Sequence, residues 1–270
     1  LQHSDCQNTD MNPRLIICHY HIFKAAGTSF ERVLQNNFGE RHLSFDGALA
    51  SSAITQTDLA QVIDAHPTLA SLSSHQITLP APVSAKFIAL PVVFVRHPIL
   101  RIRSVFLREH REVAGRSESP LQGFEAWFDN LVAGHPNQLQ ICNLQTNLLC
   151  READSPPRGV NTDGRPLYDL ETALRNLSEV ACVGRAEYFD EDVASFIPTL
   201  AAAGIRLHYP QRITENVGAA DFGLSLEQQL ENMRSQINAT TWDRLHWFNH
   251  QDMALFEAVC RRRNLGEANN

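Results

Sequence analysis

The chain has 270 residues, 43% of them hydrophobic, and a formal net charge of −7. That length and apolar content can bury a sizeable core, as one large domain or two small ones. The acidic balance argues against a general nucleic-acid or membrane-surface binder and offers no overall attraction for a polyanion.

Residues 1–13 are polar and read as an N-terminal extension. Residues 14–265 read as one domain, because no linker, repeat or low-complexity tract divides them. An apolar run through Leu15, Ile16, Ile17 and Cys18 then predicts a buried strand. A short loop follows with Lys24, Gly27, Thr28 and Ser29, and Phe30, Val33, Leu34 and Phe38 recur on one helical face. Strand, small-residue loop and helix N-terminus make an anion site, because unpaired N–H groups and the positive helix end face the same point. Lys24 adds a charge there, and Thr28 and Ser29 add hydroxyls. The loop is not a Walker A motif, which places Lys between the last Gly and the hydroxyl residue. Here Lys24 precedes Gly27, which predicts a phosphate held without the metal of a nucleoside-triphosphate site.

Leu59, Val62 and Ile63 share a helix face, and residues 69–72 read as a strand. Ser73-Ser74-His75-Gln76-Ile77 comes directly after it. Residues 92–95 form a second strongly apolar strand ending in Arg96-His97-Pro98. Pro98 suits the first turn of a helix, and Ile99, Ile102, Val105 and Phe106 follow at helical spacing. Arg96 thus stands at the carboxyl end of a strand, where open α/β sheets bind ligands. Ser104 lies about two turns into the helix, and an Arg fork with a nearby hydroxyl clamps a terminal phosphate well. Arg101, Arg103, Arg108 and Arg111, diluted by Glu109 and Glu112, read as a solvated face of that helix.

Phe124, Trp127, Phe128 and Leu131 mark a further helix. Residues 155–166, rich in Pro and Gly, read as a loop excursion. Residues 180–183 read as a strand, with Arg185 just beyond its end. Residues 212–218 read as a late surface loop. Ser225 and Gln228 make a capping-box pattern, with Leu226, Leu230, Met233 and Ile237 in register behind it. Trp242, Leu245, Phe248, Leu255, Phe256 and Val259 belong to a last helix whose apolar phase drifts. Strands separated by helical patterns predict an α/β fold, a mostly parallel central sheet flanked by helices.

The six cysteines are scattered, with no C-x-x-C, and read as reduced thiols, with one or two disulfides as the alternative. The twelve histidines form no H-E-x-x-H, so no metal is expected. No apolar run reaches transmembrane length, and the chain reads as cytoplasmic, of bacterial type, or alternatively as a Golgi-luminal domain lacking its anchor.

Lys24-Ala25-Ala26-Gly27-Thr28-Ser29 resembles the 5′-phosphosulfate loop of sulfotransferases that use 3′-phosphoadenosine 5′-phosphosulfate (PAPS). The likeness is to the group of the heparan sulfate 2-O- and 6-O-sulfotransferases and their bacterial relatives. Phe94-Val95-Arg96-His97-Pro98, with Arg101 and Ser104, resembles their 3′-phosphate motif. Weaker likenesses lie in Asn143-Leu144-Gln145-Thr146 and in the segment from Val183 to Phe189. Phe23 stands where the group usually has Pro, Ala25-Ala26 replaces Thr-Gly, and His97 replaces a common Asp.

The resemblance implies a P-loop NTPase-like sulfotransferase fold, PAPS as donor, 3′-phosphoadenosine 5′-phosphate (PAP) as product, and no metal. It implies that Lys24 contacts the bridging oxygen and the leaving phosphate. The loop Ala25, Ala26, Gly27, Thr28 and Ser29 would hold the 5′-phosphate, Arg96 and Ser104 the 3′-phosphate, and Arg185 would approach the nucleotide. His75 is the expected base, since histidine suits proton removal near neutral pH. His21 is its competitor, expected instead to pack beneath the loop, with His19 on the same strand face. The expected acceptor is a hydroxyl on a carbohydrate or other glycosylated molecule. The alternatives are a nucleotide kinase or other phosphoryl transferase, and a non-catalytic module that binds a nucleotide or a sulfated glycan.

Overall fold

The computed structural model describes residues 13–49, 52–110, 121–133, 140–150, 168–210 and 223–267. Five strands form one parallel sheet in the order β2-β3-β1-β4-β5. They are β1 (Arg14–Tyr20), β2 (His42–Ser44), β3 (Ser71–Ser74), β4 (Phe87–Val95) and β5 (Cys182–Arg185). After β1 the chain crosses through α1 (Gly27–Phe38) to the β2 edge and returns through α2 (Gln56–Ala65) to β3. It then passes to β4 on the other side of β1. The strand order therefore reverses between β1 and β4, and it is outside the carboxyl ends of strands at such a point that open α/β sheets form a ligand crevice.

Side-chain alternation along the strands builds a core on each face of the sheet. Ile16, Cys18 and Tyr20 of β1, with Val93 and Val95 of β4, enter one cluster with α2, α5 (Leu144–Cys150), α6 (Leu170–Ser178) and α10 (His250–Glu267). Ile17, Val92 and Phe94 enter the other, against α1 and α7 (Phe189–Ala202). A satellite cluster joins α3 (Pro98–Glu109), α4 (Phe124–Val132), α8 (Leu226–Arg234) and α9 (Ala239–Phe248).

The structure moves several expected boundaries. β4 begins at Phe87, and its Pro91 falls in the half of the strand that pairs with β1 alone, where a missing N–H costs no ladder bond. β3 starts two residues later than expected, because its buried positions are serines rather than apolar residues. Their hydroxyls are matched by polar partners, Ser71 to His42 and Ser73 to His19. β5 also starts two residues late. The drifting final helix is two helices, α9 and α10, separated at Asn249. The capping box of Ser225 and Gln228 is formed, but α8 ends at Arg234, short of Ile237.

Arg101 and Arg103 are not on a solvated face. Arg101 is fully buried and Arg103 nearly so. Arg101 donates from Nη2 to the Gln140 carbonyl at 2.6 Å and faces Asp252 across the core. Five cysteines, Cys18, Cys142, Cys150, Cys182 and Cys260, are unbridged. Cys6, Arg111, Glu112 and the segments 155–166 and 212–218 lie outside the described residues.

Candidate active site

The site is built on the carboxyl ends of β1, β3, β4 and β5. The β1–α1 loop takes left-handed backbone at two non-glycine residues, Lys24 (φ 64°) and Ala26 (φ 63°). Such conformations are costly for L-residues and persist only where the surroundings enforce them. The loop turns the start of α1 toward the crevice. Ala25 N–H is bonded to the Ile22 carbonyl and Ser29 N–H to the Ala26 carbonyl. Among the described residues, no carbonyl or side chain takes the N–H groups of Ala26, Gly27 and Thr28. Three amide donors therefore remain at the positive end of a helix.

Arg96 follows β4 and lies against this loop, donating from Nη1 to the Lys24 carbonyl at 3.2 Å. Its backbone is bracketed by one side chain. Gln145 accepts the Arg96 N–H through Oε1 at 2.8 Å and donates from Nε2 to the Arg96 carbonyl at 2.8 Å. Gln145 is held in turn by Asp252 on α10, which accepts from the backbone N–H groups of Gln145 and Thr146 and from the Thr146 hydroxyl. Glu187, just past β5, lies 3.5 Å from Arg96 Nε and accepts the His97 N–H at 3.2 Å. Burial raises the Glu187 carboxyl, and Arg96 opposes that rise. Ser104 is half-buried on α3, on the same helix face as Arg101 and Arg108.

Three histidines stack along the β1–β3 end of the crevice. His19 is buried and hydrogen bonded to Ser73, and its ring lies 5.2 Å from that of His21. The His21 ring is in turn 3.9 Å from that of His75. His21 packs over the start of α1, with Nδ1 3.6 Å from the Glu31 carboxylate. Burial, aided by the neighbouring His75, pushes His21 down to about 4, so it is neutral at neutral pH. His75 is exposed. Its Nδ1 lies 2.7 Å from the His21 carbonyl oxygen, and its backbone N–H donates to Asp46. A carbonyl oxygen only accepts, so Nδ1 carries a hydrogen, and in the neutral ring the lone pair belongs to Nε2.

These elements bring a lysine, three amides, an arginine and an imidazole with a fixed tautomer to one crevice. Comparison with known proteins supports the family resemblance. The profile of the sulfotransferase family matches residues 7–257. The chain belongs to that family. A protein of Archaeoglobus fulgidus, described as uncharacterized, is 26% identical over 259 residues, which cover 91% of this chain and 96% of its own length. The parallel sheet flanked by helices agrees with the P-loop-like sulfotransferase fold, and the family implies sulfuryl transfer from PAPS.

In this sulfotransferase the expected site residues Lys24, Ala26, Gly27, Thr28 and Arg96 share the crevice with His75. Arg185 stands at the end of the neighbouring strand, β5. Its guanidinium is paired with Asp192 through Nε at 3.0 Å and Nη2 at 2.9 Å, and lies 4.2 Å from the Tyr188 ring centroid. Sequence reading missed Glu187, Asp46 and Asp252. The segments carrying Glu187 and Gln145 stood out by resemblance, but only the fold shows that both converge on Arg96. Among the described residues no His/Cys/Asp/Glu cluster suits a metal, and no helix is long and apolar enough to cross a membrane.

Proposed function

We propose that the protein moves a sulfuryl group from PAPS to an acceptor hydroxyl, on a carbohydrate or related glycosylated molecule, by in-line displacement. The observation that carries this reading is the Arg96 to Lys24 hydrogen bond, which joins the 3′-phosphate motif to the phosphosulfate loop in one site. The amides of Ala26, Gly27 and Thr28 fit a 5′-phosphate, with Lys24 beside them. Arg96 and Ser104 take the 3′-phosphate. The donor supplies an electrophilic sulfur with PAP as leaving group.

His75 Nε2 removes the acceptor proton as the acceptor oxygen bonds to sulfur. Lys24 neutralises charge gathering on the departing phosphate as the sulfur–oxygen bond breaks. The tautomer needed for that step is fixed by the His21 carbonyl. Neutral His21 beneath it adds no competing charge at neutral pH.

The test is calorimetric titration with PAP, beside ATP with Mg²⁺, on the wild type and Arg96→Ala. Metal-independent PAP binding, weakened at least about tenfold by the substitution, is the expected result, since a charge-assisted phosphate contact is worth that much. ATP binding that requires Mg²⁺ would move the protein to phosphoryl transfer. Binding of neither nucleotide, with no sulfuryl transfer, would leave a non-catalytic module.

A further inference from the structure

The β1–α1 loop carries an aromatic ring that the transfer chemistry does not use. Phe23 is half-buried at the mouth of the crevice, between the base and the lysine. Its ring centroid is 6.3 Å from that of His75 and 5.9 Å from Lys24 Nζ. A third group closes on it from α3: the Arg108 guanidinium lies 5.0 Å from the same ring centroid. Arg108 is exposed, one helical turn beyond Ser104, and has no carboxylate partner among the described residues. Its neighbour Glu109 is directed elsewhere, accepting from Trp127 Nε1 at 2.8 Å.

We infer that Phe23 and Arg108 form an acceptor subsite selecting a molecule that presents a flat apolar face to the ring and a negative charge to the guanidinium. The inference rests on the sulfotransferase reading of the site. A hydroxyl within reach of His75 Nε2 puts the body of its molecule against the next wall of the crevice, and that wall is Phe23. An aromatic face accepts the C–H side of a sugar ring or another ring. The guanidinium is held over the ring by cation–π attraction, which leaves its N–H donors available to a carboxylate or sulfate. The distances from His75 to Phe23 and from Phe23 to Arg108 bound the separation of base and guanidinium to what a one- or two-ring molecule spans. Local charge therefore supplies a preference that the net charge of −7 opposes at long range.

A matched pair of acceptors tests this: p-nitrophenyl β-glucuronide and p-nitrophenyl β-glucoside, which differ in one carboxylate. Transfer from radiolabelled PAPS is measured alongside binding of each glycoside to the PAP-loaded protein. The wild type is expected to prefer the glucuronide about tenfold or more, as one charge-assisted contact allows. Arg108→Gln brings the ratio close to one, mainly through KM for the glucuronide, with the Kd for PAP unchanged. Arg108→Lys restores part of the preference, and Phe23→Ala weakens both glycosides. No preference for the glucuronide in either turnover or binding overturns the inference. So does a weaker PAP affinity in Arg108→Gln, which would make Arg108 a nucleotide contact. Failure of PAP binding in the wild type would instead sink the sulfotransferase reading, so the two failures are distinguishable.

Discussion

Gly27 and His21 share one space: a Cβ on Gly27 would lie 1.8 Å from His21 Cδ2 and 2.2 Å from Nε2. Glycine is required here by close approach and not by backbone conformation. The imidazole over Gly27 is also the one beneath His75. Gly27→Ala must therefore displace His21, and with it the support of the exposed imidazole. The expected cost is about 1–3 kcal/mol of stability, typical of overpacking, together with a large loss of kcat. Thermal unfolding and single-turnover transfer check it. An unchanged Tm would mean that the His21 ring moves aside freely and does not support His75.

His75 is the group whose removal should separate chemistry from binding. His75→Ala takes away the imidazole, but not the loop amides or Arg96. Loss of a general base lowers kcat by about 10²–10⁴-fold, while the Kd for PAP stays within a factor of about two. A comparable loss of PAP affinity would show that the imidazole serves the nucleotide site instead.

The specific parts of this fold were those whose sequence pattern is local. β1, its loop and α1 can be read from one apolar run, one small-residue turn and one helical stripe, and so can the β4–α3 unit. β3 was displaced because Ser71, Ser73 and Ser74 are buried strand residues satisfied by hydroxyl contacts, which no hydrophobic period reveals. Arg101 and Arg103 looked like surface charges because burial of a cation depends on distant partners. Asp252 lies 151 positions from Arg101 in sequence but faces it in the core. Arg185 was visible as a residue at a strand end. Its pairing with Asp192 was not, although the two lie only 7 residues apart.

That pairing gives a clear expectation for β5. Asp192 is fully buried and holds both Arg185 and Arg263, the latter at 2.6 Å. Asp192→Asn leaves two cations short of a carboxylate, and breaking a buried pair costs about 3–5 kcal/mol. Arg185→Met should destabilise as well, and the double variant should fall well short of the sum of the two. Equilibrium denaturation of the three variants measures this coupling. PAP affinity lost in Arg185→Met but kept in Asp192→Asn would make Arg185 a nucleotide contact as well.

Acid should destabilise the protein through buried histidines. Burial holds His21 and His97 down to about 4, against an ordinary value of 6.5. Between those limits the unfolded chain binds more protons than the folded one, so stability rises with pH across the window and falls as pH drops through it. Each group contributes up to about 3 kcal/mol by the usual conversion. Glu187 and Asp252, raised by burial, bend the curve the opposite way. Comparison with His97→Asn cancels those terms. Tm followed from pH 6.5 to 4.5 should fall less steeply in that variant, and parallel curves would refute the burial of His97 as a neutral ring.

Arg96 owes its position to a side chain outside its own motif. Gln145 spans the Arg96 N–H and carbonyl, and Asp252 anchors the start of the helix that carries Gln145. Gln145→Met keeps the volume but leaves two backbone groups unpaired, at about 1–3 kcal/mol for each unsatisfied group. The guanidinium itself is untouched, so a purely structural role predicts a lower Tm alone. A positioning role predicts in addition a Kd for PAP raised about tenfold, and a much smaller change for a nucleotide lacking the 3′-phosphate, because only the group facing Arg96 feels the shift. Calorimetry with PAP and adenosine 5′-phosphate separates the two. Equal weakening of both ligands would assign the loss to general loosening of the crevice.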